Sequence, residues 1–250
     1  MINFPYEPRN KRKVHISHNR SCHRCVGSWA GLNQVGSGFA SRSSEGITVT
    51  GSARVEAKAD KAVWPLNAEF VASTQSVAVD KVGVAVDALV KYLVNGGIPN
   101  DAIEFGSVSA YPQEEFVNGA STGRITSYRA SRSVTVRSEN VDLVRKLSTN
   151  LGSLLETGVN VSNYGPQFYV SKLSELRPEL LKQAMEDAKI RAEAIVSATG
   201  GSVGNVMSVR SGPFQVTSPD SVDTSSGGFY DTQTIDKTIT STVTVMFKVN

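Results

Sequence analysis

Residues 46–72 read GITVTGSARVEAKADKAVWPLNAEFVA, and the fold class follows from this stretch. From Ile47 to Ala59 the odd positions are Ile, Val, Gly, Ala, Val, Ala and Ala, while the even positions from Thr48 to Asp60 are all polar or charged. Strict period-two alternation of this length predicts a strand with one face buried and one face in water. A second alternating run follows, with Trp64, Leu66, Ala68, Phe70 and Ala72 on one face. Two long half-buried strands in succession need helices to cover their apolar side.

The remainder of the chain supplies them. Val82, Val86, Leu89 and Leu93 recur at helical spacing after Ser76, and Gly96-Gly97 with Pro99 stops that helix. A third strand is expected over Ile103 to Tyr111 with a bulge at Gly106, then a polar hairpin loop from Pro112 to Gly123, then a strand over Ile125 to Arg137. Asn140 caps a second helix, Asp142 suits its positive end, and Gly158 closes it. A strand interrupted by Gly165-Pro166 spans Val159 to Lys172. The third helix places Pro178 in its first turn, carries an inner stripe of Leu181, Ala184, Met185, Ala188, Ala192 and Ile195, and ends at Gly200-Gly201. Strands over Val203–Val209 and Ile235–Val249 complete the chain. The last puts Ile239, Val243, Val245, Phe247 and Val249 inward and Thr238, Thr240, Thr242 and Thr244 outward. The predicted order is ββαββαβαββ, an α+β fold with a mainly antiparallel sheet under three helices, and with two lobes joined near residue 140.

Charge and reactive residues are distributed unevenly. Residues 1–45 carry seven Lys/Arg against Glu7 and Glu45, whereas residues 46–250 carry 19 basic and 21 acidic groups. The basic balance belongs to a tail that has no apolar period and reads as disordered. The folded body gives no electrostatic reason to expect nucleic acid; Arg124, Arg129, Arg132, Arg137, Arg145 and Lys146 lack interleaved stacking aromatics and read as a solvated face. Both cysteines and all three histidines lie in the tail as well, which removes Ser-His-Asp, Cys-His and His- or Cys-ligated metal chemistry from the body. The tail set His15, His18, Cys22 and Cys25, with His23 between, holds soft ligands but at a spacing too short for a zinc finger to fold between its pairs. No cofactor motif is present. Gly200, Gly201 and Gly204 follow a helix and open a strand, the reverse of a phosphate loop. The carboxylates Asp60, Asp101, Glu114 and Glu115 sit at expected strand ends and loops, where a pair could serve a hydrolase; a Ser-Lys pair is the other enzymatic option.

Two features point to contacts with partners. Ser211–Gln233 is a long Ser/Thr/Asp/Gly segment that nevertheless holds Phe214, Val216, Phe229 and Tyr230. Its composition predicts mobility, and its aromatics either meet a partner or tuck back onto the sheet. The last strand carries charge only near its ends, so if it lies at an edge its centre, Thr240 and Thr242, is open to a second copy.

The segment ITVTGSARVEAKADKAVWPL resembles the opening strand pair of SIMPL-domain proteins, with the tGxaxxxxxaDxAxW shape set by Gly51, Asp60 and Trp64. The likeness continues through YRASRSVTVRSENVDLVRKL, the Ala-rich helix AMEDAKIRAEAIVSATGGSVGNVMSV and the closing ITSTVTVMFKV, and covers residues 46–250. It implies a non-enzymatic binding or assembly module: a homo-oligomer of the bacterial periplasm or cell envelope, in some relatives ring- or channel-like, with roles in stress tolerance. Relatives carry an apolar signal or anchor before the first strand, where this chain has SCHRCVGSWAGLNQVGSGFA. Either the protein is cytoplasmic, or the first ~35 residues are not the true start and a membrane anchor is missing from them.

Overall fold

The computed structural model describes residues 46–222 and 225–250. The tail, with its expected disorder and its His/Cys set, lies outside the described residues.

The alternation of residues 46–72 becomes two long strands, β1 (Gly46–Lys58) and β2 (Lys61–Ala72), separated by Ala59 and Asp60. They do not pair with each other. β1 joins β11 (Asp236–Val249) in full antiparallel register, from Gly46 opposite Lys248 to Lys58 opposite Asp236. β11 pairs on its other side with β8 (Val203–Ser211) and β9 (Gln215–Thr217), and β9 runs parallel to β10 (Phe229–Tyr230). β2 instead pairs with β5 (Ala120–Ser138), and on its other side with β6 (Val161–Asn163) and β7 (Gln167–Tyr169). β3 (Ile103–Phe105) and β4 (Ser109–Val117) line the far side of β5. Pro65, in the middle of β2, faces the gap between the β6 and β7 pairings, where no ladder is interrupted by its missing N–H.

Each sheet has its own core. The central lobe packs β2–β7 under α1 (Gln75–Asn95), α2 (Val141–Thr149) and the single turn α3 (Gly152–Leu155), around Trp64, Leu66, Leu89, Leu93 and Val134. The terminal lobe, built from both ends of the described chain, packs β1 and β8–β11 under α4 (Leu173–Ser197), around Val49, Ala184, Ala188, Ile239 and Val243. The chain passes between them at Ala59–Asp60 and after β7; Asn140, which caps α2 through the Leu143 amide at 3.1 Å, sits within the central lobe. The α+β class and the mainly antiparallel sheets are as the sequence predicts.

Four local expectations are corrected. Pro112 to Gly123 is not a loop: β4 runs through Val117, β5 begins at Ala120, and the turn is Asn118-Gly119 with φ of 52° and 82°. Two consecutive positive φ values make the primed turn that matches strand twist, and Asn-Gly is its preferred sequence. The strand expected over Ile103–Tyr111 breaks into β3 and β4 at Gly106, whose amide bonds Ser133 O at 3.0 Å. α4 begins at Leu173, so Pro178 lies inside it rather than in its first turn, and its buried stripe is Leu180, Ala184, Ala188, Ala192 and Val196. Ile195 faces outward. β11 is a central strand with neighbours on both sides, so its centre is not an open edge.

Candidate functional site

The three residues that carry the family-like shape all have structural duties. Gly51 lies under α4: a Cβ there would sit 2.2 Å from Ala184 O and 2.4 Å from Ala188 N, so only glycine lets the helix backbone down onto the strand. Asp60 accepts from the Ser171 amide at 2.7 Å and the Ser171 hydroxyl at 2.6 Å, tying together the two places where the chain passes between lobes. Burial pushes its carboxyl up, but the Ser171 hydrogen bonds prevail and hold it below its ordinary value. Trp64 fills the central core and donates from Nε1 to Asn163 Oδ1 at 2.8 Å.

Several titratable groups outside that set are also engaged with neighbours. Glu115 meets Arg124, Glu69 meets Arg129, Glu104 meets Arg137 at 2.9 Å, and Asp142 meets Arg145 at 2.9 Å. Arg132 lies over the Phe105 ring at 5.0 Å and donates to Gly106 O. Four of the six basic residues of this segment, Arg124, Arg129, Arg137 and Arg145, are thus in ion pairs. Glu114 accepts from the Ser121 hydroxyl, and Asp101 lies exposed within a short 3-10 turn at Asn100–Ala102. Among the described residues no group of three or more His, Cys, Asp or Glu is placed to hold a metal ion.

One polar constellation was not legible beforehand. Lys237 faces the interior of the terminal lobe and is 1 % exposed. Its Nζ donates to Asp231 O at 2.5 Å and to Asp231 Oδ2 at 3.0 Å. Burial raises the Asp231 carboxyl, yet donors from Thr234, Gln233 and Lys237 outweigh burial and hold it low. Ser241 lies on the same face of β11, with its buried hydroxyl unpartnered. Four residues along a strand separate it from Lys237 by about 13 Å, too far for one to activate the other.

The residues expected to meet partners divide into three groups. Thr240 and Thr242 are half-buried on the outer face of the terminal sheet, at the floor of a cleft of about 650 Å³ shared with Arg54, Gln215 and Asp220. Their backbones are already used: Thr240 lies between Arg54 and Gln215, and Thr242 O accepts from the Gly212 amide at 2.9 Å. Phe214 and Tyr230 tuck back, as the second of the two readings for this segment has it. Arg177 covers the Phe214 ring at 5.3 Å, and Tyr230 stacks obliquely on Tyr169 at 5.8 Å while its hydroxyl accepts from the Val170 amide at 2.9 Å. Phe229 stays 39 % exposed at the rim of an open cleft of about 460 Å³, floored by Phe214 and Val216 and flanked by Leu173 and Arg177. The segment 211–233 is thus not a bare loop; it contributes β9 and β10 to the sheet.

One exposed apolar feature falls where sequence reasoning expected a loop. β2 ends opposite Tyr128, so β4 and β5 continue past it as a two-stranded ribbon without a third strand. Phe116 is 67 % exposed there, and Tyr111, Val117 and Ile125 are each about half exposed. Asn-Gly flanked by apolar residues was the signal that marks it.

Among the described residues no helix is long and apolar enough to cross a membrane. No curated protein matches the chain. The model of the SIMPL family, described as protein of unknown function (DUF541), matches residues 47–247, which is most of the chain and nearly all of the described fold. The chain belongs to the SIMPL family.

Proposed function

We propose that this SIMPL protein is a non-enzymatic module of the cell envelope that assembles with copies of itself. The observation that carries the reading is the uncovered ribbon, with Phe116, Val117 and Ile125 held in water on a two-stranded hairpin. Such a hairpin is marginal in isolation, and apolar side chains displayed on it gain most when a partner covers them. Support also comes from the polar groups: Asp60, Glu69, Glu104, Glu115, Asp142 and Asp231 are each tied to a structural neighbour rather than left facing a cleft. The envelope location rests on the family.

Size-exclusion chromatography with light scattering on the full chain, at roughly tens of micromolar to reveal weak association, tests assembly. A discrete oligomer is expected, and a clean monomer overturns the reading. Fractionation of cells expressing the full chain tests location, with recovery in the envelope expected and recovery only in the cytoplasmic fraction counting against it.

A further inference from the structure

Resting on that self-assembly reading, we propose that the ribbon of one copy docks in the aromatic cleft of a second copy, with Phe116 as anchor and Glu114 set against Arg177. The ribbon continues the helix-covered face of the central sheet. Ala110 opposite Ala130 is the last well-covered row; the next rows pair Pro112 with Tyr128, Glu114 with Ile125 and Phe116 with Ser121. Tyr128 still packs against the central core, whereas Ile125 and Phe116 are exposed. Gln113 to Val117 therefore run beyond the end of β2, about 17 Å of strand at the usual rise per residue, with Phe116 and Ile125 exposed on the face that also carries Glu114, and register shifts on both sides of Glu114.

The cleft has the complementary character. It opens between the start of α4 and the 213–230 segment, with Phe214 and Val216 at its base and Phe229 exposed at its rim. Its volume of about 460 Å³ exceeds what one aromatic side chain needs. An aromatic anchor entering an aromatic-lined pocket is the usual energetic centre of an interface. Charge selects the same pairing. Arg177 touches the Phe214 ring and has no carboxylate partner among the described residues. Glu114 accepts only from the Ser121 hydroxyl, while its neighbour Glu115 is already paired with Arg124. Two unpaired charges of opposite sign thus stand beside the two apolar features.

The ribbon belongs to the central lobe and the cleft to the terminal lobe, so the contact joins different surfaces of the two copies. Each bound copy keeps one unused ribbon or cleft for the next, and such a head-to-tail interface closes into a ring or runs on as a filament.

The test is light scattering on full-length variants, with far-UV circular dichroism to confirm folding. Phe116→Lys and Phe229→Lys alter exposed positions; if they fail to fold, Ile125→Lys on the same face of the ribbon stands in for the first and Arg177→Glu in the cleft for the second. Each is expected to weaken association roughly 30-fold or more, the loss typical of an interface anchor. Mixing the Phe116→Lys and Phe229→Lys proteins, each monomeric alone, is expected to give a one-to-one dimer, because each retains one intact surface. Glu114→Lys and Arg177→Glu are expected to dissociate the oligomer singly and to restore it in combination. An oligomer that persists through Phe116→Lys and Arg177→Glu overturns this interface while leaving self-assembly standing. A wild-type monomer removes both. Sedimentation with phosphatidylcholine vesicles that Phe116→Lys abolishes, with the oligomer unchanged, overturns the interface in favour of a lipid surface.

Discussion

The two lobes solve the same packing problem with opposite side chains. In the central lobe the sheet meets α1 through large residues: Trp64, Leu66, Leu89 and Leu93 are almost fully buried. In the terminal lobe α4 meets β1 through Gly51, Ala53, Ala184, Ala188 and Ala192, so closely that no Cβ fits at Gly51. The first arrangement fills space with side chains; the second removes side chains until backbones touch. A core of the first kind fails when atoms are removed, and one of the second kind fails when atoms are added. The terminal lobe also contains what the central one lacks, a buried cation, Lys237, held by Asp231.

The largest break in this contrast is Trp64→Ala. It leaves a cavity in the central core and removes one of the two donors to Asn163 Oδ1, the Gly165 amide being the other, and is expected to cost about 4 kcal/mol in urea unfolding. A loss below about 1 kcal/mol would show that α1 and α2 collapse into the space, and that the central core is not filled as tightly as drawn.

Asp231→Ala comes next, at about 3 kcal/mol, because it leaves the Lys237 ammonium buried without its carboxylate. Adding Lys237→Met to Asp231→Ala, which removes the stranded charge and keeps its volume, is expected to recover most of that loss. Equal losses in the two variants would mean that the pair, not the stranded charge, sets the cost. The pH dependence sharpens the point. The folded-state carboxyl of Asp231 lies below its ordinary value of 3.8, so its contribution is complete above that pH and is lost as pH falls through the folded value. The wild-type urea midpoint should fall as the solution is acidified below about pH 4, and the Asp231→Ala protein should lack Asp231's share of that fall. Asp60, Asp187 and Glu115 are lowered in the same direction and add to the fall.

The smallest of the three is Gly51→Val, expected to cost about 2 kcal/mol by forcing α4 off β1. The same substitution at Gly83, a half-buried helical position with open space for a Cβ, is the control and should cost nothing, because valine is a better helix residue than glycine. If the two losses are alike, close backbone approach is not what holds the terminal lobe.

The ion pair and the ribbon show where sequence reading stopped. Lys237 falls on the inward phase of β11, yet a lysine near the start of a strand is ordinarily read as a solvated end. Its partner Asp231 lies in the preceding segment, and their meeting depends on the path from β10 into β11. The ribbon was legible in part, since Asn118-Gly119 is a strong local turn signal. Its exposed apolar face was not, because exposure depends on where β2 ends.

The long elements were legible in the sequence alone. Period-two alternation in Ile47–Ala59 and Ile235–Val249, and the spacing of Ala184, Ala188 and Ala192, are properties of a few neighbouring residues and need no knowledge of the rest of the chain. Partnership is different. A strand's backbone presents the same donors and acceptors to any neighbour, so nothing in residues 46–72 states that β1 and β2 lie in different sheets, or that β11 is flanked on both sides. Only tertiary packing decided that. The Asp60–Ser171 tie and the descent of α4 onto Gly51 assign each strand to its lobe, and the early end of β2 leaves Phe116 in water.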